Sequence, residues 1–124
     1  MKALSVRQPY SWAIIHGGKD VENRTWHSDF RGPVLIHAGL HWHEVGPEAL
    51  ARKMRMAVPC DMPLGGIVGM VEIVDCVTRH PSRWFEGPYG FVLRKPRALT
   101  FTPCPGHLGF YDVDQAILAK LNLP

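Results

Sequence analysis

A small α+β fold is what the sequence predicts: a mixed β-barrel or strongly bent sheet of about six strands, flanked by two or three short helices. Three observations carry this. Short apolar alternations bounded by glycine and proline outnumber helical stretches. They do not alternate regularly with helices, which argues against a doubly wound sheet. One stretch, "GIVGMVEIVDCV" at 66–77, is apolar on both alternating faces, as in the central strand of a closed or covered sheet, with Gly69 allowing close backbone approach. With 124 residues the chain reads as a single domain, 1–124, able to bury one core but not two.

"ALSV" at 3–6 alternates Leu4 and Val6 and predicts a first strand. Pro9 at a first helical position, an apolar run from Tyr10 to His16, and Gly17-Gly18 behind it predict a short helix. "DVENRTW" at 20–26 and "PVLIHA" at 33–38 predict two strands around the turn-forming "HSDFRG". Pro47, acidic Glu44 and Glu48, and basic Arg52, Lys53 and Arg55 predict a helix over about 47–57, its charges suited to the helix dipole and Leu50, Ala51 and Met54 facing the core. "FVLRK" at 91–95, "ALTF" at 98–101 and "GFYDV" at 109–113 follow as separate strands, and Asp114 is expected to cap a last helix holding Ile117, Leu118 and Leu121.

Composition sets limits on function. Hydrophobic residues make up 46% and charged residues 20%, ordinary for a globular protein, so wholesale disorder is excluded. The apolar runs fall short of the roughly 18–20 residues of a membrane span, and the N-terminus shows no signal-peptide core, which points to a cytoplasmic protein. Fourteen Lys and Arg against eleven Asp and Glu give a formal charge of +3, which permits contact with polyanions without demanding it. Cys60, Cys76 and Cys104 are odd in number and widely spaced, so neither a disulfide framework nor a zinc finger is expected.

The stretch "GGKDVENRTW" at 17–26 concentrates chemistry. In a regular strand Glu22, Arg24 and Trp26 share one face, while Val21, Asn23 and Thr25 share the other. Lys19 is out of register, but the glycine pair frees the backbone to turn its ammonium toward Glu22. Two readings stand side by side. In one, Glu22 pairs with Arg24 or Lys19 as a surface ladder and Trp26 packs into the core. In the other, Lys19 and Arg24 hold a phosphate or a polarised carbonyl, Glu22 accepts a base-edge donor or a proton, and an aromatic stacks a base.

Other polar residues divide in the same way. Glu72, inside the most apolar strand, either pairs with an arginine at a barrel rim or acts as a second acid/base group facing Lys19. His37, His41 and His43 invite a metal reading, but lack the tight spacing or cysteines of a zinc site, so no metal is assigned. Arg52, Lys53 and Arg55, with Arg94, Lys95 and Arg97, are either solvated charge or the basic walls of a groove.

The segments "LSVRQPYSWAIIHGGKDVENRTW", "RGPVLIHA", "LGGIVGMVEIVDCV" and "PCPGHLGFY", in that order and over most of the chain, resemble the ASCH (activating signal cointegrator homology) family. The most specific elements are L-S-x-x-Q-P from Leu4 to Pro9, the pattern of Gly17, Lys19, Glu22 and Arg24, and the strand around Gly66 and Gly69. The resemblance implies a PUA-like fold and a nucleic-acid-related role, with ribonuclease activity in some members. A related branch hydrolyses N4-acetylcytidine with a lysine, a threonine and a glutamate. Here Glu22 stands where that branch has threonine, and a glutamate cannot replace a hydroxyl in attack on the carbonyl.

The sequence therefore points to a binding module for single-stranded RNA, or DNA, or for a modified or flipped base. Its pocket is assigned to Ser5, Gln8, Lys19, Glu22, Asn23, Arg24 and Trp26, with Trp42 as an alternative stacking surface and Ser5 or Gln8 also suited to capping the first helix. The competing reading is a metal-independent ribonuclease or an amidohydrolase of a modified nucleoside. Glu22 would then be general base toward water, and Lys19 or Arg24 would stabilise the oxyanion. A protein-interaction domain without nucleic acid is the third reading. No cofactor and no membrane are implied.

Overall fold

The computed structural model describes all 124 residues. Its elements run β1 (Lys2–Val6), α1 (Tyr10–His16), β2 (Val21–Arg24), β3 (Gly32–Ala38), α2 (Pro47–Met54), β4 (Gly66–Val77), β5 (Tyr89–Pro103), β6 (Phe110–Asp112) and α3 (Gln115–Leu118). The six strands form one curled sheet in the order β2-β5-β4-β3-β1-β6. Only β1 and β3 are parallel, because α1 and β2 lie between them in sequence and supply the crossover. Every other pair is antiparallel.

The open edges of the sheet are β2 and β6, and side chains draw them together. Trp26, just past β2, meets Phe110 of β6 edge-on at 5.7 Å and Phe91 of β5 at 5.2 Å. Arg24 of β2 donates from Nη2 to the Ser5 carbonyl of β1 at 2.8 Å, beyond the last β6 pairing at Leu4. Inside the curl, Leu4, Ile14, Ile36, Val71, Ile73 and Phe91 form the main core. A second cluster, with Ala13, Val21, Leu50, Met54 and Trp84, seats α2. A third, with Leu35, Ile67 and Leu121, seats the C-terminal segment.

The expected elements appear with local corrections. The two strands anticipated at 91–95 and 98–101 are one strand, β5. Pairing steps from Glu72 to Met70 on β4 match Arg94 to Arg97 on β5, so one extra residue bulges there and Lys95 takes a φ of 55°. Pro96, which has no N–H for a ladder, is accommodated at that bulge. Helix α2 stops at Met54, short of the expected 57, because Arg55 is left-handed at φ 52°, and Ala51 is half-buried where a core position was expected. Pro9 is the N-cap of α1 and not its first helical residue; the capping acceptor is Gln8, whose Oε1 takes the Trp12 N–H at 2.8 Å. Asp114 occupies the N-cap of α3, but its side chain makes no capping bond.

Candidate functional site

A cleft of about 870 Å3 opens between β2, the start of α1, helix α2 and the loops at 39–45, 83–87 and 107–109. At its base lie Lys19 and Glu22, 4% and 7% exposed. Gly18, at φ 76°, turns the chain so that Lys19 points back onto β2, where its Nζ donates to the Val21 carbonyl and lies 3.4 Å from Glu22 Oε1. Glu22 Oε2 accepts from Arg24 Nε at 3.0 Å and from Nη2 at 2.8 Å. One carboxylate thus sits between two cations, with the sum of the three charges at +1. Oε1 pairs with the Lys19 ammonium by charge but accepts no hydrogen bond, so its lone pairs remain available to a donor from outside.

Aromatic rings enclose the ammonium. Lys19 Nζ lies 5.5 Å from the Tyr10 ring centre and 5.7 Å from that of Trp84, both within cation–π range. Burial pushes the Tyr10 phenol above its ordinary value, with Lys53 opposing and Glu86 and Glu22 adding to the rise. On the flank, Lys53 of α2 pairs with Glu86 at 2.8 Å. That hydrogen bond raises the Lys53 ammonium and lowers the Glu86 carboxyl. Arg83 lies over Trp84 at 5.4 Å while donating to the Met54 carbonyl, and Arg7 adds an exposed cation to the lining.

Lys19, Glu22 and Arg24, singled out from the sequence, therefore converge. Trp26 lines the same cleft, although its ring is also packed on Phe91 and Phe110. Asn23 lines it too, but its amide is committed: Nδ2 donates to the Trp84 carbonyl, and Oδ1 accepts from the Glu86 and Gly87 amides. Asn23 thereby fixes the loop that presents Trp84. Ser5 borders the cleft with Oγ 3.1 Å from His37 Nδ1 and 3.3 Å from the Tyr111 hydroxyl. Gln8 does not line it; besides capping α1, its Nε2 donates to the Pro63 carbonyl. Trp42 is also outside the lining.

Glu72 follows the arginine-paired reading, 3.2 Å from Arg94 and away from the cleft. Of the three clustered histidines, His41 and His43 line the cleft. His37 is buried, its Nε2 2.8 Å from the Cys104 carbonyl. No group of three or more His, Cys, Asp or Glu side chains is arranged to hold a metal ion. No helix is long and apolar enough to cross a membrane. Of the residues read as basic walls of a groove, Lys53 lines the cleft, and Arg52, Arg55, Arg94, Lys95 and Arg97 do not. Tyr10, Trp84 and Glu86 had no sequence signal that placed them here, since each reaches the cleft by tertiary contact.

The ASCH domain profile matches residues 4–116. Activating signal cointegrator 1 of Homo sapiens is 28% identical over 130 residues, covering 92% of this chain and 22% of that protein. The Mus musculus protein of the same name is 26% identical with the same coverage. The chain thus spans about a fifth of the length of these curated relatives, 22% of each. Among solved structures, ASCH from Zymomonas mobilis aligns with a TM-score of 0.55 at 15% identity, covering 96% of this chain and 91% of that one. A substituted form of the same protein aligns with a TM-score of 0.57 at 14% identity, covering 96% and 92%. At such identities the likeness extends to the fold.

Proposed function

The chain belongs to the ASCH domain family, and from that premise we propose that it is a nucleic-acid-binding module for single-stranded RNA, receiving one base, modified or unmodified, in the cleft above Lys19, Glu22 and Arg24. The observation that carries this reading is the position of Glu22. It is a buried carboxylate held by two cations, with an acceptor position left over, at the base of an aromatic-walled cleft. Such a group suits the amino edge of a nucleobase, while Arg7 and Arg83 at the lining suit the phosphates on either side. Tyr10 and Trp84 supply π faces, and the volume suits a nucleotide-sized guest.

The test is fluorescence anisotropy of labelled single-stranded RNA across a salt series. Wild type is expected to bind more weakly as salt rises; Glu22→Gln is expected to weaken binding and change base preference, and Arg7→Ala to weaken it for all sequences and flatten the salt slope. Absence of wild-type binding at low salt overturns the reading.

A second reading, hydrolysis in the same cleft, draws on the enclosure of Lys19 between Tyr10 and Trp84 beside Glu22. The substrate would be RNA, cleaved without a metal, or a modified nucleoside such as N4-acetylcytidine. Glu22 would then serve water as general base, with Lys19 or Arg24 facing the oxyanion. Turnover of either substrate that vanishes in Lys19→Ala selects this reading; binding without turnover selects the first.

A further inference from the structure

Leu108 is 100% exposed, yet it stands on a tightly held loop. The Cys104 carbonyl is bound by His37, and the Cys104 amide donates to the Gly65 carbonyl at 3.1 Å. Gly106 packs so closely on the Ser5–His37 pair that a Cβ there would lie 2.7 Å from both Ser5 Oγ and His37 Cε1. The His107 ring meets Tyr111 edge-on at 5.0 Å, and Gly109 turns the chain at φ 66° into β6. Between these anchors the leucine projects at the cleft mouth, where it is part of the lining.

A lone exposed leucine is ordinary. Here a second, Leu40, 70% exposed, lies at the mouth of the same cleft on the 39–45 loop. Its Cδ2 is 2.7 Å from where a Gly65 Cβ would be, so this side chain lies over the backbone of the residue whose carbonyl anchors the Cys104 amide. Two exposed aliphatic tips, one of them on an anchored loop, thus border a cleft whose base is polar and cationic. An aliphatic side chain can slip between neighbouring bases and fill the gap left when one leaves the stack.

Resting on the nucleic-acid reading above, we propose that Leu108, with Leu40 beside the same opening, is the wedge that separates stacked bases. It takes the stacking place of the nucleotide whose base enters the cleft. Ser5, His37 and Gly106 then serve to hold that wedge rigid.

Two signals from the same single-stranded RNA test this: anisotropy for binding, and the fluorescence of 2-aminopurine placed at each position in turn, which rises where a base loses its stacking neighbours. Wild type is expected to bind with a rise at one or two adjacent positions. Leu108→Ala, which removes no core contact, is expected to bind within about tenfold of wild type while losing most of that rise. Leu108→Met is expected to retain it. An undiminished rise in Leu108→Ala overturns the wedge but leaves the binding module standing, and points Leu108 toward a protein contact. No anisotropy change with wild type at low salt overturns the binding reading itself, and the wedge with it.

Discussion

Arg24 Nη2 donates to the Ser5 carbonyl at 2.8 Å and to Glu22 Oε2 at 2.8 Å, so one guanidinium both joins β2 to β1 and orients the carboxylate at the base of the cleft. Closure of the curled sheet and geometry of the site are therefore coupled through a single planar fork. An ammonium at this position carries the same charge but cannot reproduce two directions of donation from one rigid group.

Arg24→Lys is accordingly expected to destabilise the fold by about 1–2 kcal/mol, and Arg24→Ala by about 2–3 kcal/mol, with the Ser5 carbonyl and Glu22 both losing donors. Urea unfolding of the two variants gives the comparison. Equal stability of Arg24→Lys and wild type would show that charge alone suffices.

The buried Lys19–Glu22 couple should behave as a unit. Glu22→Gln leaves an ammonium 4% exposed without its anion, and a loss of about 2–4 kcal/mol is expected. Replacing both residues, Lys19→Met with Glu22→Gln, should cost less than the sum of the single changes, a coupling of about 1–2 kcal/mol in a double-mutant cycle. RNA affinity should fall in all three variants, since stability and binding draw on the same groups. Additive stability losses would mean that the 3.4 Å approach carries no net coupling.

Some of this was legible in the sequence, and the reason is locality. Glu22 and Arg24 are two residues apart on one strand, and Lys19 follows a glycine pair that can turn the chain, so their convergence rests on backbone rules. The central strand at 66–77 was legible for the same reason, because its apolar pattern needs no partner to be recognised. Asn23 shows where such reading ends. Its place beside the cleft follows from the strand, but the commitment of its amide to residues 84, 86 and 87 depends on a loop over 60 positions away. Trp84 and Leu108 were out of reach likewise. The union of 91–95 and 98–101 into β5 was hidden by Pro96, which reads as a break unless the bulge beside it is known.

Asn23→Ala is expected to destabilise by about 1–3 kcal/mol, because the Glu86 and Gly87 amides lose their acceptor. The sharper consequence concerns the cleft: Trp84 loses the hydrogen bond to its carbonyl, and the loop carrying it should exchange amide protons faster. Hydrogen exchange confined to residues near 84–87 supports this role; unchanged exchange there removes it.

Gly69 faces α1 where no side chain fits. A Cβ would lie 2.5 Å from Ile15 Cδ1 and 2.6 Å from the Arg97 carbonyl oxygen, and the second of these belongs to a paired strand that cannot step aside. Gly69→Ala is expected to cost about 2–3 kcal/mol, seen as a lower urea midpoint. An unchanged midpoint would mean that β4 and β5 separate there without penalty.

Stability should also decline on the alkaline side, for a reason traceable to particular groups. Burial raises the Tyr10 and Tyr111 phenols and the Cys104 thiol above their ordinary values of 10.0, 10.0 and 9.0. From about pH 9 upward the unfolded chain releases protons that the folded chain retains, so unfolding becomes more favourable with rising pH until the raised folded values are passed. Lys53, raised by its hydrogen bond to Glu86, acts in the same direction: its contribution is complete below 10.5 and is lost as pH climbs through the folded value. Glu86, lowered by the same bond, contributes above 4.5 and loses that contribution as pH falls through its folded value. The pair is solvent-exposed, so both effects should be small and salt-sensitive. Urea midpoints followed from about pH 7 to about pH 10.5 should therefore fall in wild type, and less steeply in Tyr111→Phe, which retains the ring and has no proton to release. Parallel declines in the two proteins would assign the alkaline sensitivity to Tyr10, Cys104 and Lys53, and would show that the Tyr111 hydroxyl beside Ser5 is not where burial is felt.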